Sequence, residues 1–462
     1  MLVLTSCANI IPPSGGPRDS LPPKLTALNP ENNKMHFDAK RIVISFDEFV
    51  EVKDLQNNLT VSPVPKQLPI IESKLRTITI RLKDTLQPNT TYSIDFGKAI
   101  RDVNEGNILK NFTYTFSTGN YIDSMQFFGK VFIASTGKTD SALIAMLYDD
   151  LDDSAVIKAR PRYIVHLDST GNFAFSHLKP GTYALYALKD ESGSRKYLSK
   201  SQLFAFANAH VEVKPNSPPV TLYAYADTST AGSPGSTKTK KPVSLGAQAA
   251  TPKKKEEEKV KRLQFATNLA NAQLDLKANL ELVFPTRLKS FDSTRIRLTD
   301  DKFTEVPGTR FIEDSTQKKL TVLSKWTIDT KYHLIAAKDF AEDSLGYKLL
   351  KTDTLSFKTK SEADYGSLRI RFTNLDLSKN PVLQFVQGDA IKFSQPLTSR
   401  IFIEKLFVPG DYDLRILFDE NKNGVWDPGD FFIKHRQPEK VLAIKKKLTV
   451  KANWDNETEY VL

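Results

Sequence analysis

The sequence predicts an all-β protein made of four tandem β-sandwich modules. Its 462 residues include 28 Phe and 15 Tyr, a usage that favours strands. Short stretches such as 77–82 alternate between apolar and polar residues, which is the period of a half-buried strand. Two sequence patterns of about 100 residues each occur twice, and turn-forming residues recur at the spacing expected for short strands. Together these features are typical of tandem sandwiches.

The first pattern combines short alternating strands, a turn before a Tyr-containing strand, an acidic Asn/Gly segment and a closing aromatic strand. Tyr92 and Tyr332 occupy the same place in the two copies and lie 240 residues apart. Phe116 and Phe357 lie 241 residues apart. Two anchors at nearly the same offset indicate an internal repeat.

The second pattern follows each copy of the first and centres on the motif Leu/Phe-x-Pro-Gly-x-Tyr. Pro180 and Pro409 are 229 residues apart, as are Tyr183 and Tyr412. Proline fixes one turn dihedral and glycine accepts a positive one, so the next strand starts in a defined register. The predicted order is therefore two different modules, a linker, and the same two modules again.

These patterns set the domain boundaries used below. We expect a tether, a sandwich of the first pattern (module 1), a sandwich of the second pattern (module 2), a linker, a divergent copy of module 1 (module 3) and a copy of module 2 (module 4). In that order they occupy residues 1–21, 22–120, 121–227, 228–262, 263–362 and 363–462.

The charge distribution argues against a nucleic-acid partner. The net charge is +11, from 65 Lys and Arg against 54 Asp and Glu. Residues 228–262 hold nine Lys or Arg and three Glu, which accounts for +6 of this excess. The rest of the chain is nearly balanced, so no broad basic face is expected. The lysines at 253–255 have no interleaved aromatic residues, which favours a solvated flexible linker over a binding patch.

Cys7 is the single cysteine, which excludes an intramolecular disulfide. The segment Leu4-Thr-Ser-Cys7 resembles a bacterial lipobox, in which the cysteine receives the lipid. The residues before it are too few for a signal peptide, so we expect the true start to lie upstream. The Pro/Gly-rich segment 11–17 reads as an extended tether. By resemblance, Ala8 and Asn9 favour the outer membrane, and the alternative interpretation is a free cysteine near a frayed terminus.

Module 1 resembles the bacterial Ig-like domain of S-layer proteins, through the segments 44–48, 86–92, 100–107 and 116–119. Module 3 lacks the acidic pair of that pattern, so its assignment depends on the repeat. Modules 2 and 4 resemble the carboxypeptidase-regulatory-like, or prealbumin-like, sandwich, through Gly171-Asn-Phe173 and the two Pro-Gly turns. The resemblance implies structural rather than catalytic modules, in a layout similar to exported Ig-like lipoproteins of Gram-negative bacteria.

A search for catalytic motifs gives no assignment. The six histidines form no HxxxH, HxH or HExxH cluster, and no nucleophile elbow or phosphate-binding glycine loop is present. His166 and His177 lie on neighbouring predicted strands and are interpreted as structural. The carboxylates in 149–153 are interpreted as a solvated turn rather than a catalytic pair. We therefore predict no catalytic residues, although side chains from distant strands can still converge.

The last module contains the strongest candidate site, a calcium loop at residues 419–430. Its spacing resembles that of an EF-hand loop, in which oxygen ligands recur at alternate positions around a sharp glycine turn. Gly424 stands at the turn, and a structural Ca²⁺ is the one cofactor expected. The predicted ligands are Asp419, Asn421, Asn423, the carbonyl of Val425, Asp427 and Asp430.

Two departures from the EF-hand pattern weaken this prediction. The final ligand position holds Asp430 rather than glutamate, and the flanks 412–418 and 431–433 read as strands instead of helices. The alternative is a long hairpin tip rich in turn formers.

The sequence thus predicts a non-enzymatic envelope lipoprotein that serves as a spacer or as an adhesion and binding platform. It would be held by its lipid at the outer membrane, on the periplasmic face or at the cell surface. The alternative is an accessory protein that binds a glycan or a peptide at loop tips or between modules.

Overall fold

A computed structural model describes residues 18–227 and 262–462, where regular structure is almost entirely β-strand. This confirms the predicted all-β class. The described helices are single turns: α1 (Leu55–Asn58), α2 (Ala155–Lys158) and the 3-10 turns Ser293–Arg295, Glu362–Asp364 and Leu377–Lys379. The contacts separate two units. Within the described ranges the first comprises 18–227, 379–384 and 415–443, and the second comprises 262–378, 385–414 and 444–462.

Module 1 contains three small sheets, in the orders β1-β2-β6-β5, β4-β7-β9 and β3-β8. Alternation explains its core, because Ile42 and Ile44 of one strand face Ile80 and Ile78 of the next, and all four are fully buried. The strands are β1 (Leu25–Asn29), β2 (Arg41–Phe46), β3 (Val50–Val52), β4 (Thr60–Ser62), β5 (Ile70–Lys74), β6 (Thr77–Arg81), β7 (Thr91–Asp95), β8 (Ile100–Asp102) and β9 (Thr113–Ser117).

Module 2 packs a three-stranded sheet, β13-β10-β17, against a sheet in the order β12-β11-β14-β15, with β16 also paired to β14. Its first and last strands, β10 and β17, run parallel to each other. The strands are β10 (Met125–Ile133), β11 (Leu143–Tyr148), β12 (Tyr163–His166), β13 (Asn172–Leu178), β14 (Gly181–Lys189), β15 (Phe204–Phe206), β16 (Val211–Val213) and β17 (Val220–Ala224).

Module 3 has two four-stranded sheets, β18-β20-β24-β23 and β19-β27-β25-β22, and the pair β21-β26. Its strands are β18 (Ala266–Thr267), β19 (Gln273–Leu274), β20 (Leu280–Val283), β21 (Leu288–Phe291), β22 (Ile296–Asp300), β23 (Arg310–Glu313), β24 (Lys319–Leu323), β25 (Lys331–Ala336), β26 (Ala341–Asp343) and β27 (Asp353–Thr359).

Module 4 repeats the strand arrangement of module 2. Its sheets are β31-β28-β35, with β28 and β35 parallel, and β30-β29-β32-β33, with β34 also paired to β32. The strands are β28 (Gly366–Thr373), β29 (Pro381–Gln387), β30 (Ala390–Pro396), β31 (Ile401–Phe407), β32 (Gly410–Phe418), β33 (Lys440–Ala443), β34 (Leu448–Val450) and β35 (Asp455–Val461).

The anchor tyrosines make equivalent hydrogen bonds in the paired modules. The Gln87 amide donates to the Tyr92 hydroxyl at 2.8 Å, and the Thr327 amide donates to the Tyr332 hydroxyl at 3.0 Å. In modules 2 and 4, Tyr183 and Tyr412 each donate to the carbonyl four residues earlier, at 2.8 and 2.9 Å. These contacts are those that a repeat would produce, and the four-module duplication itself stays a prediction.

A buried aspartate organises the acidic Asn/Gly segment of module 1. Asp102 is fully buried, and its carboxylate accepts the backbone N–H groups of Glu105 (2.6 Å), Gly106 (2.9 Å) and Asn107 (2.7 Å). Burial alone would raise the pKa of Asp102, but these donors outweigh it and hold the pKa below its usual range. In module 3, Asp343 also caps its loop by accepting two backbone N–H groups and a threonine hydroxyl.

Candidate functional site

The Asp/Asn-rich loop of module 4 begins directly after β32. Asp419 is 2% exposed, and its two carboxylate oxygens accept the N–H groups of Asn423 (3.2 Å) and Gly424 (2.6 Å). Gly424 has a φ of +77°, a left-handed conformation that glycine adopts without strain. The sequence therefore closes a tight turn around the first predicted ligand.

Other predicted ligands converge on Asp427. The side-chain amides of Asn421 and Asn423 donate to Oδ2 of Asp427, at 2.5 and 2.8 Å. Val425 donates its N–H to Oδ1 of Asn423 at 2.7 Å, and its side chain is exposed. Asp430 forms a short antiparallel bridge with the backbone further along the loop, and its Oδ1 accepts the N–H of residue 433. Hydrogen bonds thus bring Asn421, Asn423 and Asp427 together, whereas Asp430 lies where the following turn begins.

Glu439 belongs to the same cluster, and the sequence analysis did not find it. Its side chain is buried, and its carboxylate accepts the N–H groups of Glu420 (2.8 Å) and Asp427 (3.0 Å). Burial first, and then the negative charges of Asp419 and Asp427, raise the pKa of Glu439. No spacing rule points to this residue, because it follows the predicted loop by nine positions.

The donor atoms of this loop are carboxylate and amide oxygens, which hard cations such as Ca²⁺ prefer. Within 18–227 and 262–462, however, no three His, Cys, Asp or Glu side chains form a group arranged to hold a metal ion. Asp419 and Glu439 instead accept backbone N–H groups of the loop. The oxygen donors of the loop are thus of the kind that calcium prefers, but they are not gathered into a metal site. The calcium site stays a prediction.

The segment after the loop is not the predicted strand at 431–433; this expectation was wrong. Residues 431–434 form a turn. Phe431 is 4% exposed and packs against Tyr186, Phe204 and Phe206 of module 2, with ring centroids 5.6, 5.2 and 4.8 Å apart. This burial outweighs the local strand preference. We call residues 426–441 the clasp.

Residues of the clasp on both sides of Phe431 and Phe432 also make hydrogen bonds. Trp426 donates its indole N–H to the Glu439 carbonyl at 2.8 Å, which joins the two ends of the clasp beside the Asp/Asn-rich loop. The side chain of Gln437 donates to the Phe206 carbonyl at 3.0 Å. The Val441 N–H donates to the Ala134 carbonyl at 2.9 Å, so the clasp adds a main-chain bond to module 2. The loop and the clasp are therefore one connected structure within the first unit.

A cavity of about 420 Å³ lies where modules 1 and 2 meet, also within the first unit. Its walls combine prolines, aromatic rings and charged groups. Arg162 pairs with Asp149 at 3.0 Å, and its carbonyl oxygen accepts a hydrogen bond from the Val64 N–H at 2.8 Å. Arg160 donates to the Lys66 carbonyl at 2.7 Å. The bonds of Val64 and Lys66 to module 2 tie the two modules together beside the cavity.

The remaining sequence predictions have mixed outcomes. His166 is on β12 and His177 on β13, which are consecutive strands of the chain, as predicted, and belong to different sheets. Burial lowers the pKa of His177. The segment 149–153 is an irregular turn before α2, as expected. Cys7, the tether up to residue 17 and the linker residues 228–261 lie outside the described residues.

Residues 19–118 match the family of bacterial Ig-like domains. The match covers module 1 and agrees with the resemblance seen in its sequence. A comparison with curated protein sequences gives no match. The part of the chain that the structure describes contains no helix long and apolar enough to cross a bilayer.

Three solved structures are among those that match this chain in a structural comparison. The Bacillus anthracis TIE protein is 9% identical, with 97% of this chain and 75% of that chain covered and a TM-score of 0.18. Native alpha-2-macroglobulin from Escherichia coli, domains MG0-NIE-MG1, is 14% identical, with 40% and 72% covered and a TM-score of 0.21. The major pilin subunit BcpA of Bacillus cereus is 7% identical, with 73% and 99% covered and a TM-score of 0.17. At these identities and TM-scores the likenesses carry no argument about the fold or the function of this chain.

Proposed function

We propose that this chain is a non-enzymatic cell-envelope lipoprotein whose β-sandwich modules serve as a spacer or as an adhesion and binding platform. The match of residues 19–118 to bacterial Ig-like domains carries the proposal. Modules 1, 2 and 3 have separate apolar cores, which supports a tandem architecture. The lipobox-like segment before Cys7 supports anchoring by lipid at the outer membrane, on the periplasmic face or at the cell surface.

The anchor is tested with Cys7→Ala expressed in the native host. We expect the variant to leave the membrane fraction and to lose the mass of the lipid, since no other cysteine can accept it. Ser14→Ala, in the same tether, is the matched control and should stay in the membrane. Unchanged membrane association and mass of Cys7→Ala would rule out the lipid anchor. Protease treatment of intact cells then distinguishes surface display from the periplasmic face.

The cavity between modules 1 and 2 favours the second candidate function, an accessory protein that binds a glycan or peptide. Its volume suits a small ligand, and its walls offer prolines, Tyr92 and basic groups. The test is a glycan and peptide array probed with the chain, followed by Gln67→Trp to fill the cavity. We expect this variant to lose any ligand that the array identifies. Binding that Gln67→Trp leaves unchanged would place the ligand elsewhere.

We also propose that the Asp/Asn-rich loop binds a structural Ca²⁺. Asp419, Asp427 and the amide oxygens of Asn421 and Asn423 would hold the ion, with Glu439 beside them. When bound, the ion would offset the mutual repulsion of these carboxylates and stiffen the loop. Calcium alone should raise the unfolding temperature of the full chain.

The full chain is the right sample for this test because the clasp connects the loop to module 2. Asp419→Ala should abolish the calcium-dependent rise. Asp389→Asn, an exposed carboxylate on another hairpin of module 4, should keep it. The absence of both binding heat and thermal shift at millimolar calcium would reduce the loop to a turn.

A further inference from the structure

The end of module 1 at which the described chain starts bears several exposed apolar side chains. The segment 18–25 lies there beside three loops, which follow β2, join β5 to β6 and follow β8. Its exposed apolar residues are Leu21, Phe49, Leu75 and Val103, which are 55%, 44%, 67% and 53% exposed. We call the surface made by segments 18–25, 46–49, 74–76 and 103–107 the apolar tip.

Hydrogen bonds of the backbone hold the three loops of the apolar tip next to one another. The Val103 N–H donates to the Phe49 carbonyl at 3.0 Å, and the Val50 N–H donates to the Leu75 carbonyl at 2.9 Å. The guanidinium of Arg76 lies 5.5 Å from the centre of the Phe49 ring. The exposed apolar side chains therefore stand on adjoining loops of one surface.

Folding of module 1 does not account for these apolar side chains. In the described part of the chain, the apolar core of module 1 and the residues packed against it include none of the four. Leu75 stands at a hairpin position with a φ of +52°, where glycine, asparagine and aspartate are the usual residues. Apolar groups left in water at such positions indicate an apolar partner.

The charges of the apolar tip are balanced. Its segments contain four basic and four acidic residues, so a partner is not selected by net charge. Long basic side chains around apolar ones suit the boundary between water and lipid, because their stems lie along apolar material while their charged groups stay in water. The charged residues are Arg18, Asp19, Lys24, Asp47, Glu48, Lys74, Arg76 and Glu105.

The apolar tip is also close to the proposed lipid anchor. Arg18 donates a hydrogen bond to the Glu105 carbonyl at 3.3 Å, so the chain leaves module 1 at this surface. Eleven residues lead from Cys7 to Arg18, which limits the distance between these two residues to about 40 Å. A lipid on Cys7 therefore keeps a bilayer within reach of the tip and raises its effective concentration there.

Two weak membrane contacts that act together hold a protein more firmly than either alone. We propose that the apolar tip of module 1 inserts into the interface of the lipid bilayer that holds the anchor. This proposal rests on the proposed lipidation of Cys7, and it makes module 1 the part of the chain that stands on the membrane.

The test couples the full chain through Cys7, the single cysteine, to a maleimide-bearing lipid in phosphatidylcholine vesicles. Bromine atoms on the acyl chains quench an indole that enters the bilayer. We expect quenching of Leu75→Trp beyond that of the three native tryptophans. Leu68→Trp is the matched control, because Leu68 is 53% exposed and lies at the opposite end of β5. It should show no quenching beyond the native tryptophans.

A second variant adds Phe49→Ser and Val103→Ser to Leu75→Trp. From the exposed apolar surface that it removes, the ratio of inserted to withdrawn tips should fall on the order of 10-fold or more. The quenched fraction of the fluorescence measures this ratio. Because both side chains are exposed, the variant should keep the circular dichroism spectrum and unfolding temperature of the parent chain, which are checked first.

Equal quenching of Leu75→Trp and Leu68→Trp would overturn the proposal, as would quenching that the two serines leave unchanged. Self-association of the uncoupled chain that the two serines remove, without quenching by the vesicles, would assign the tip to a second copy instead. The coupling is chemical, so the outcome does not depend on lipidation in the cell. Release of Cys7→Ala from cell membranes, together with no quenching in vesicles, would keep the anchor and refute the insertion.

Discussion

Asp102→Ala should loosen module 1 more than any exposed Asp→Ala change in the same fold. The carboxylate of Asp102 is the shared acceptor of three backbone N–H groups, and it is fully buried. Alanine cannot accept any of these bonds. The segment 105–107 must then open to water or leave its donors unpaired.

The size of the effect follows from the number of lost bonds. A hydrogen bond to a charged group contributes about 1.5–3 kcal/mol, and part of each loss is recovered when the loop rehydrates. We therefore expect Asp102→Ala to cost about 3–4 kcal/mol, which is a shift on the order of 15–25 °C for a module of this size. Asp102→Asn keeps one acceptor oxygen but turns its amide NH2, itself a donor, towards the backbone N–H donors, and should cost about 2 kcal/mol.

Hydrogen exchange measured by mass spectrometry gives the assay, because it reports module 1 separately from the rest of the chain. Peptides covering β8, residues 105–107 and β9 should exchange faster in both variants. Asp353→Ala is the control, since its Oδ1 accepts only the neighbouring Thr354 N–H and the residue is exposed. Equal protection of the module in Asp102→Ala and in Asp353→Ala would refute this account of the buried carboxylate.

Further predictions concern a titrating turn, the tyrosine bonds and the linker. Several hydrogen bonds to the Asp168 carboxylate, of which the Asn172 backbone N–H has the largest effect, lower its pKa to about 2. The Asp168 carboxylate therefore stabilises module 2 by about 1 kcal/mol after screening, an effect present above about pH 4 and lost as the pH falls through 2. In thermal melts at pH 5 and pH 2, Asp168→Asn should lack this pH-dependent part of the stability. Tyr183→Phe and Tyr412→Phe should each cost about 1 kcal/mol by denaturant titration, and a loss in one module alone would argue against equivalent roles. Limited proteolysis should cut first within 228–262, whereas early cuts inside module 2 would contradict the domain boundaries.

Local patterns allowed the strands to be predicted well. The alternation in 77–82 corresponds to β6, Thr77–Arg81, because a two-residue period is set by the strand itself. The prolines of the Pro-Gly motifs stand directly before β14 and β32, and the glycines are the first residues of these strands, as expected for turns that start a strand. Such features depend on neighbouring residues, and a single sequence contains them in full.

Features that depend on distant residues were missed. Glu439 enters the Asp/Asn-rich loop from beyond its predicted end, and no motif includes it. Phe431 lies in an apolar run that reads as a strand, but aromatic rings of module 2 hold it in a turn. Glu439 acts across 12 and 19 residues, and Phe431 contacts segments more than 200 residues away. Periodicity and motif spacing provide no signal for either kind of contact.

The parallel pairing of β10 and β17 gives module 2 a mechanical property. Gly129 to Ile133 lie beside Val220 to Ala224 in the same direction, so the chain enters and leaves the module at opposite ends of this pair. A pulling force applied through the two ends loads the inter-strand hydrogen bonds in shear, and they must break together rather than one after another. Module 2 should therefore resist stretching along the chain better than a hairpin that unzips from one end.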